Sequence, residues 1–296
     1  MLYSSVLGRI GRTPLIEASG LVKNRIKLYL KAEWFNPSGS IKDRTASYLI
    51  GGAMERGELT AGGEVVEASS GNLGISLGMI GAVYGLSVTV VMPEGMSRAR
   101  SSLMRRYGVN ILYTPANDGM AGAIAEAERI AGKVGAFYPR QFENLDGVRA
   151  HYETTAVEII EDLGGPPDAV IVGVGTGGTV MGIAKRFAEV GGCEIIAVEP
   201  RESPVLTTGH AGRHEIEGIG AGFVPPLLDR SYIDRVMTVG YEEAMQVLDT
   251  LPSRIGICCG ISSAAAIAVA IKLSHEEKHR GRRIVAILPD GIDRYI

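Results

Sequence analysis

Hydrophobic runs typical of buried strands alternate with helix-type patterns along most of the chain. Strands are predicted at Glu64–Ala68, Ser87–Met92, Asn110–Tyr113, Ala169–Gly173, Cys193–Glu199, Arg235–Val239 and Ile284–Leu288. Helices are predicted near 42–57, 72–84, 97–107, 118–133, 148–162, 178–190, 241–250 and 262–276. Continuous apolar strands that alternate with helices are typical of parallel sheets covered on both faces. The pattern therefore predicts an α/β fold, and 296 residues suffice for about two lobes.

One uncharged stretch, 68–93, is long enough to span a bilayer. The turn 69–72 and Gly85 interrupt it, and it ends in the β-branched run 87–92. A buried helix followed by a buried parallel strand explains this stretch better than a membrane span. The N-terminus lacks a basic region followed by an apolar core, so no signal peptide is predicted.

Composition and charge narrow the class of protein. The 46% hydrophobic and 21% charged residues are ordinary for a globular enzyme. A net charge of −3 with 6% aromatic residues argues against a nucleic-acid partner. The three cysteines show no disulfide-framework spacing, which is typical of a reducing compartment, and we expect a cytoplasmic location. Neither the cysteines nor the five histidines have metal-ligand spacing, so no metal site is predicted.

Glycine is the compositional outlier, with 40 of 296 residues against a usual share of about 7%. Four turns rich in glycine or serine stand where strands give way to helices: 36–42, 69–74, 173–179 and 260–263. Ligands of parallel sheets bind outside the carboxyl ends of the strands, where such turns open helices. These turns therefore predict a ligand site.

The turn 173–179 follows a predicted strand and precedes a helix. Backbone N–H groups beside glycines, together with a helix N-terminus, favour a phosphate. The turn also matches GxGxxG through Gly173, Gly175 and Gly178, and Glu199 ends the next strand. A nicotinamide-dependent oxidoreductase is therefore an alternative from this segment alone.

The other turns suggest what accompanies the phosphate. Lys42 begins a predicted helix after the small-residue turn 36–41, and a lysine beside a phosphate cradle favours a Schiff base with pyridoxal phosphate. The turn 69–74 offers N–H groups suited to a carboxylate, and Asn72 offers a neutral donor. Ser262 begins the last long helix, where it serves either as an N-cap or as the partner of the ring nitrogen.

Several motifs together resemble one enzyme family. They are NPSGSIKDR at 36–44, SSGNLG at 69–74, QFEN at 141–144, GTGGT at 175–179, HEIEGIGAGFVP at 214–225 and GISS at 260–263. The chain resembles the O-acetylserine sulfhydrylase branch of the cysteine synthase/cystathionine β-synthase family, pyridoxal-phosphate enzymes of fold type II. The resemblance implies a tryptophan synthase β-like fold, with a smaller lobe at 36–146 and a larger lobe formed by 1–35 plus 147–296. It also implies a homodimer and serine acetyltransferase as a possible partner.

The resemblance further implies a function for each motif residue. Lys42 would hold the cofactor as a Schiff base and act as the catalytic base, Asn72 would bind the ring 3-oxygen, and Ser262 the ring nitrogen. The phosphate would be held by Gly175, Thr176, Gly177, Gly178 and Thr179. The substrate would be bound by Ser69, Ser70, Leu73, Gln141 and Gly218. The implied reaction is β-replacement on an O-activated L-serine, with O-acetylserine favoured, by sulfide through an aminoacrylate to give L-cysteine.

The chain departs from the family pattern at a few positions. The family usually has threonine where this chain has Ser69 and Leu73, and glycine where it has Ala264. The segment 289–296 also lacks the usual SGER. These departures concern substrate preference more than cofactor chemistry.

Other functions stay open at this point. Within the fold the alternatives are a serine or threonine dehydratase and a cystathionine β-synthase-type activity, and outside it the oxidoreductase or a binding protein without catalysis. Neither the choice between O-acetylserine and O-phosphoserine nor the sulfur source follows from these residues.

Overall fold

The computed structural model describes residues 2–295, which form two separate β-sheets flanked by helices. The strands are β1 (Leu15–Glu17), β2 (Lys27–Ala32), β3 (Glu64–Ala68), β4 (Ser87–Pro93), β5 (Asn110–Thr114), β6 (Ala169–Gly173), β7 (Glu194–Pro200), β8 (Arg235–Val239) and β9 (Arg283–Leu288). The helices are α1 (Lys42–Glu55), α2 (Asn72–Tyr84), α3 (Arg98–Arg106), α4 (Gly119–Val134), α5 (Asp146–Ala150), α6 (Ala156–Leu163), α7 (Gly178–Val190), α8 (Val205–Thr208), α9 (Tyr241–Ile255) and α10 (Ile261–Leu273). Short 3₁₀ turns lie at Val6–Arg9, Ser19–Leu21, Glu33–Phe35, Ala116–Asp118, Arg230–Tyr232, Glu277–His279 and Ile292–Arg294, and a π-helical turn at His151–Thr155.

The two sheets differ in the number and direction of their strands. The larger sheet has the strand order β1-β2-β9-β6-β7-β8 and is parallel except for the antiparallel β1–β2 pair. The smaller runs β3-β4-β5 and is fully parallel. The predicted α/β class is confirmed, and each of the seven predicted strands forms. The small sheet lies within 36–146 and the large sheet outside it, which supports the lobe boundaries that we propose.

Strands β1 and β2 were not predicted from the pattern. Strand β2 pairs in parallel with β9, with Leu28 opposite Ile284 and Leu30 opposite Ala286. Its sequence, KLYLKA, contains two lysines instead of a continuous apolar run, and Lys31 is nonetheless fully buried. Its ammonium lies 2.9 Å from a carboxylate oxygen of Glu158, far along the chain. A distant partner thus makes this strand possible, and no local pattern could indicate it.

Two helices differ from their predicted form. Helix α9 continues one turn beyond residue 250 despite Pro252, since a proline in the last turn removes only one donor. The region predicted as one helix at 148–162 contains a π-helical turn between α5 and α6. In that turn the His151 Nδ1 atom lies 2.9 Å from the Thr155 hydroxyl.

Both faces of each sheet are covered. Ile171 and Val172 of β6 point into different hydrophobic clusters, one on each side of the large sheet. Val65 and Val66 of β3 do the same in the small sheet. Successive strand residues alternate between faces, so apolar runs are required where both faces are buried. The uncharged stretch 68–93 is accordingly α2 and β4, and within residues 2–295 no helix is long and apolar enough to cross a membrane.

We expect Gly182→Ala in α7 to destabilise the fold. A Cβ there would lie 2.6 Å from the Cβ of His151 and 2.7 Å from the Tyr152 nitrogen, against the π-helical turn. Overpacking of this kind costs about 1–3 kcal/mol, measurable by urea unfolding. The matched control is Gly132→Ala in α4, which meets no atom within 4 Å and should gain about 0.5–1 kcal/mol. Equal stability of the two variants would contradict the close α7 contact.

Candidate active site

A cavity of about 280 Å³ lies where the carboxyl ends of strands from both sheets meet. Its wall contains the start of α1, the turn after β3, the loop after β6, the segment 214–221, the start of α10 and the end of β9. Twelve of the thirteen residues predicted for the site line it: Lys42, Ser69, Ser70, Asn72, Leu73, Gln141, Gly175, Thr176, Gly177, Thr179, Gly218 and Ser262. Gly178 is not among the lining residues, and a Cβ there would lie 3.2 Å from the Gly147 carbonyl oxygen.

Lys42 is held against the end of β9. It is the first residue of α1, and its N–H donates to the Ser40 hydroxyl across 3.3 Å. The preceding Ile41 N–H donates to the Pro289 carbonyl across 2.8 Å, and Ser40 forms a bridge with Asp290. These contacts fix the first turn of α1 to the large sheet. Lys42 therefore faces the cavity from a rigid position.

The environment of Lys42 favours its neutral form. Burial lowers the pKa of Lys42 from 10.5 to about 8, and the charge of Glu67 opposes this effect. Glu67, itself 1% exposed, has its pKa raised to about 8 by burial. Its carboxylate accepts the N–H of Ala68 across 2.8 Å and that of Gln141 across 3.2 Å. Glu67 thus links the charge near Lys42 to the loop that places Gln141 in the cavity.

The loop after β6 forms a cradle of free donors. Among residues 2–295 the N–H groups of Thr176, Gly177 and Thr179 find no protein acceptor, and α7 begins at Gly178. Gly177 has φ +86°, which favours glycine. A Cβ at Gly175 would lie 2.6 Å from the Gly218 carbonyl. The cradle therefore offers N–H groups, two threonine hydroxyls and a helix N-terminus to an anion.

The turn after β3 forms the opposite wall. The Ser69 hydroxyl oxygen accepts the N–H groups of Gly71 and Gly74, across 3.1 and 3.2 Å, so its proton stays free to donate. The Asn72 amide donates to Asp290 across 2.6 Å, while its buried Oδ1 has no partner among residues 2–295. Leu73 is 1% exposed and packs into the core of the small sheet. Leu73, which stands where the family usually has threonine, therefore contributes to both the core and the cavity wall.

Ser262 and Gly218 face each other across the third side. Ser262 is 3% exposed in the first turn of α10, and a Cβ at Gly218 would lie 3.5 Å from its hydroxyl. Gly218 has φ +92° and belongs to the wall segment 214–221. A neutral hydroxyl is thus presented to the cavity.

Four polar residues of the wall were not predicted individually. Arg100, His214, Glu217 and Asp290 all line the cavity. His214 and Glu217 belong to the stretch 214–225 that carries the family resemblance, which was the available signal for these two residues. Arg100 stands in a run with several other arginines, and nothing in the sequence distinguishes it.

Glu199 does not occupy the position that a nicotinamide site needs. It is 2% exposed and accepts the N–H groups of Leu206 and Thr207, across 2.6 and 3.0 Å, and the Thr207 hydroxyl. Its carboxylate thereby caps α8 and has no free oxygen facing a ribose. The oxidoreductase alternative is not favoured.

Within residues 2–295, no group of three or more His, Cys, Asp or Glu side chains could hold a metal ion.

Comparison with known proteins gives one consistent result. The model of the family described as pyridoxal-phosphate dependent enzyme matches residues 6–290. This chain belongs to that family. A cysteine synthase of Staphylococcus aureus is 39% identical over 290 residues, covering 97% of this chain and 93% of that protein. The resemblance derived from the motifs is confirmed.

Solved structures agree with this assignment. A cysteine synthase (OASS) from Entamoeba histolytica superposes with a TM-score of 0.95 at 38% identity, covering 100% of this chain and 89% of that one. An O-ureido-L-serine synthase superposes with a TM-score of 0.96 at 36% identity, covering 100% and 94%. The fold-type II architecture is therefore shared along the whole chain.

The residues present fit pyridoxal phosphate. The free N–H groups of Thr176, Gly177 and Thr179 suit a phosphate, the neutral Asn72 side chain lines the same cavity, and Lys42 offers an amine of lowered pKa. This pyridoxal-phosphate dependent enzyme thus presents an anion cradle, neutral polar groups and an amine around one space.

We expect the rate of cofactor loading into the cofactor-free protein to rise with pH and level off above about pH 8, because only neutral Lys42 reacts with an aldehyde. In Glu67→Gln the rise should occur at lower pH, since the Glu67 charge raises the pKa of Lys42. Stopped-flow absorbance measures both profiles. A midpoint near the ordinary lysine value of 10.5 would contradict the effect of burial.

Proposed function

We propose that the chain is a cysteine synthase that replaces the acetyl-bearing oxygen of O-acetyl-L-serine with sulfide. The observation that carries this proposal is Lys42, an amine of lowered pKa placed between an anion cradle and a helix start that suits a carboxylate. The Staphylococcus aureus and Entamoeba histolytica proteins, named as cysteine synthases, support the same chemistry.

Lys42 performs the proton transfers. When bound, pyridoxal phosphate supplies an aldehyde carbon that takes an amine and a ring that accepts the electron pair left at the substrate Cα. The Nζ atom of Lys42 would hold the cofactor and, as a free amine, would take the proton from the substrate Cα. The bond to the leaving oxygen then breaks, sulfide forms the new bond at Cβ, and Nζ returns a proton.

The substrate carboxylate is bound by the turn after β3. The Ser69 hydroxyl proton and the N–H groups at the start of α2 belong to the same turn, and the helix dipole favours a negative charge there. The Gln141 side chain donates to the Ala68 carbonyl across 2.6 Å and so holds the neighbouring loop against this turn. The carboxylate and the reacting Cα are thereby fixed relative to Lys42.

Ser262 sets the electronic character of the reaction. As a neutral hydroxyl, it would bind the ring nitrogen without enforcing a positive charge on the ring. A weaker electron sink suffices for β-elimination of a good leaving group and disfavours transamination.

The oligomeric state, the cellular location and the protein partner are inferred from the family resemblance. We infer a homodimer, a cytoplasmic location and serine acetyltransferase as a possible partner. Light scattering tests the first, and co-purification with an acetyltransferase of the same cell tests the last.

The decisive experiment is a donor panel. O-acetylserine, O-phosphoserine and serine are added separately to the purified holoenzyme with sulfide, and cysteine is measured. We expect O-acetylserine to give the highest kcat/KM. Faster turnover of serine would favour the dehydratase or cystathionine synthase alternatives instead.

Lys42→Ala should abolish turnover while leaving the fold intact. Lys42 is both the anchor and the base, so the loss should exceed the ~10²–10⁴ typical of a general base alone. The control is Lys133→Ala, an exposed lysine in α4. Cysteine formation and the borohydride-bleachable absorbance band report the effect. A variant that retains both would overturn the assignment of Lys42.

Leu73→Thr should strengthen donor binding and weaken the fold. The added hydroxyl can contribute about 0.5–1.5 kcal/mol, and up to ~3 kcal/mol toward a carboxylate, whereas loss of buried apolar contacts costs about 1–3 kcal/mol. The control is Leu77→Thr, equally buried one turn along α2 but outside the cavity wall. Spectral titration with the amino acid, beside thermal melts, separates the two effects. Weaker donor binding at unchanged stability would show that leucine itself selects the substrate.

A further inference from the structure

Arg100 is a buried cation in the cavity wall. It lies in the first turn of α3 and is 1% exposed. Its aliphatic chain crosses the backbone at Gly71, where any Cβ would overlap it. Its guanidinium stacks on Tyr295, with the Cζ atom 4.8 Å from the ring centroid. Glycine at 71 and the aromatic ring thus build a fixed position for this charge beside the substrate turn.

The guanidinium is only partly paired. Its Nη1 atom lies 2.6 Å from the carboxylate of Glu217. The Glu217 side chain is 40% exposed and belongs to the wall segment 214–221. Its Nε and Nη2 atoms are buried and have no hydrogen-bond partner among residues 2–295. Arginine cannot lose its proton, and buried donors without acceptors are rare in folded proteins. These two nitrogens, with three N–H donors between them, are therefore available to an acceptor in the cavity.

The neighbouring acid does not supply that acceptor. Burial raises the pKa of Asp290, and the charge of Arg100 opposes that shift. Its oxygens already accept the Asn72 amide across 2.6 Å and the Tyr295 hydroxyl across 3.1 Å. The planar fork of a guanidinium matches a carboxylate or another oxyanion, and its charge attracts a small sulfur anion as well.

We propose that Arg100 is a specificity-determining residue that binds, through Nε and Nη2, the small anion of the replacement. This anion is either the deprotonated sulfur nucleophile as it enters or the carboxylate released from the donor as it leaves. The inference rests on the proposed function for the identity of the anion, and on the free guanidinium donors for the site itself. Glu217 limits the affinity for this anion, because its carboxylate already pairs with Nη1, the third nitrogen of the guanidinium.

The first test measures anion binding to the holoenzyme. Acetate and thiosulfate are titrated as ligands by the rise in Tm, with acetamide as the neutral control. We expect Arg100→Gln to weaken anion binding roughly 10- to 100-fold, the range for a hydrogen bond to a charged group. Arg100→Lys should restore part of it, and Glu217→Gln should tighten it. Cofactor absorbance and circular dichroism confirm that each variant is folded and loaded.

The second test determines which of the two anions Arg100 binds during the reaction. A fall in kcat/KM for sulfide at saturating donor, in Arg100→Gln, would identify the entering nucleophile. A slower spectral change on adding O-acetylserine without sulfide would identify the departing carboxylate. Unchanged anion binding in Arg100→Gln, or changed binding with both rates unaltered, would overturn the proposal. If wild-type enzyme does not react with O-acetylserine, the proposed function fails, while the Tm titration still decides whether Arg100 binds anions.

Discussion

The buried guanidinium of Arg44 fixes the geometry on which the cavity depends. Its Nε atom lies 2.7 Å from Glu33, which follows β2, and its Nη1 atom 2.5 Å from Glu158 in α6. It also donates to the Thr13 hydroxyl across 3.1 Å. Removal of one partner from such a group leaves an uncompensated buried charge, which typically costs about 3–5 kcal/mol. Lys42 lies two residues earlier in α1, so it cannot shift without breaking this network.

Burial sets the direction of the pKa shifts around Lys42. It raises the pKa of Glu67 and of Asp290, and it also raises the pKa of Asp43, whose carboxylate accepts hydrogen bonds from Ser38 and Ser76. It lowers the pKa of Lys42 to about 8, and the charge of Glu67 opposes that shift. The amine is thereby brought toward the neutral form, which is needed both to hold an aldehyde and to take a proton.

Part of the glycine excess serves packing and not ligand binding. In α2 a Cβ at Gly78 would lie 2.5 Å from Val109, and one at Gly81 would lie 2.7 Å from Val88. The helix can thus approach the small sheet closely, which brings its N-terminus to the cavity. The sequence indicated the glycine-rich turns as ligand sites, but only the structure separates the glycines of the cradle from those of the helix contact.

The sequence by itself determined the features that depend on neighbouring residues. Seven strands, the turns at their carboxyl ends and Lys42 at a helix start all follow from local hydrophobicity and turn chemistry, and shared motifs added the family. Only the tertiary structure decided what the charged residues do. Lys31 is a strand residue because Glu158 reaches it, Glu199 caps α8 instead of facing a ribose, and Arg100 meets Glu217 from 117 residues away. The physical reason is that the energy of a buried charge depends on partners that the fold assembles, and no local pattern records them.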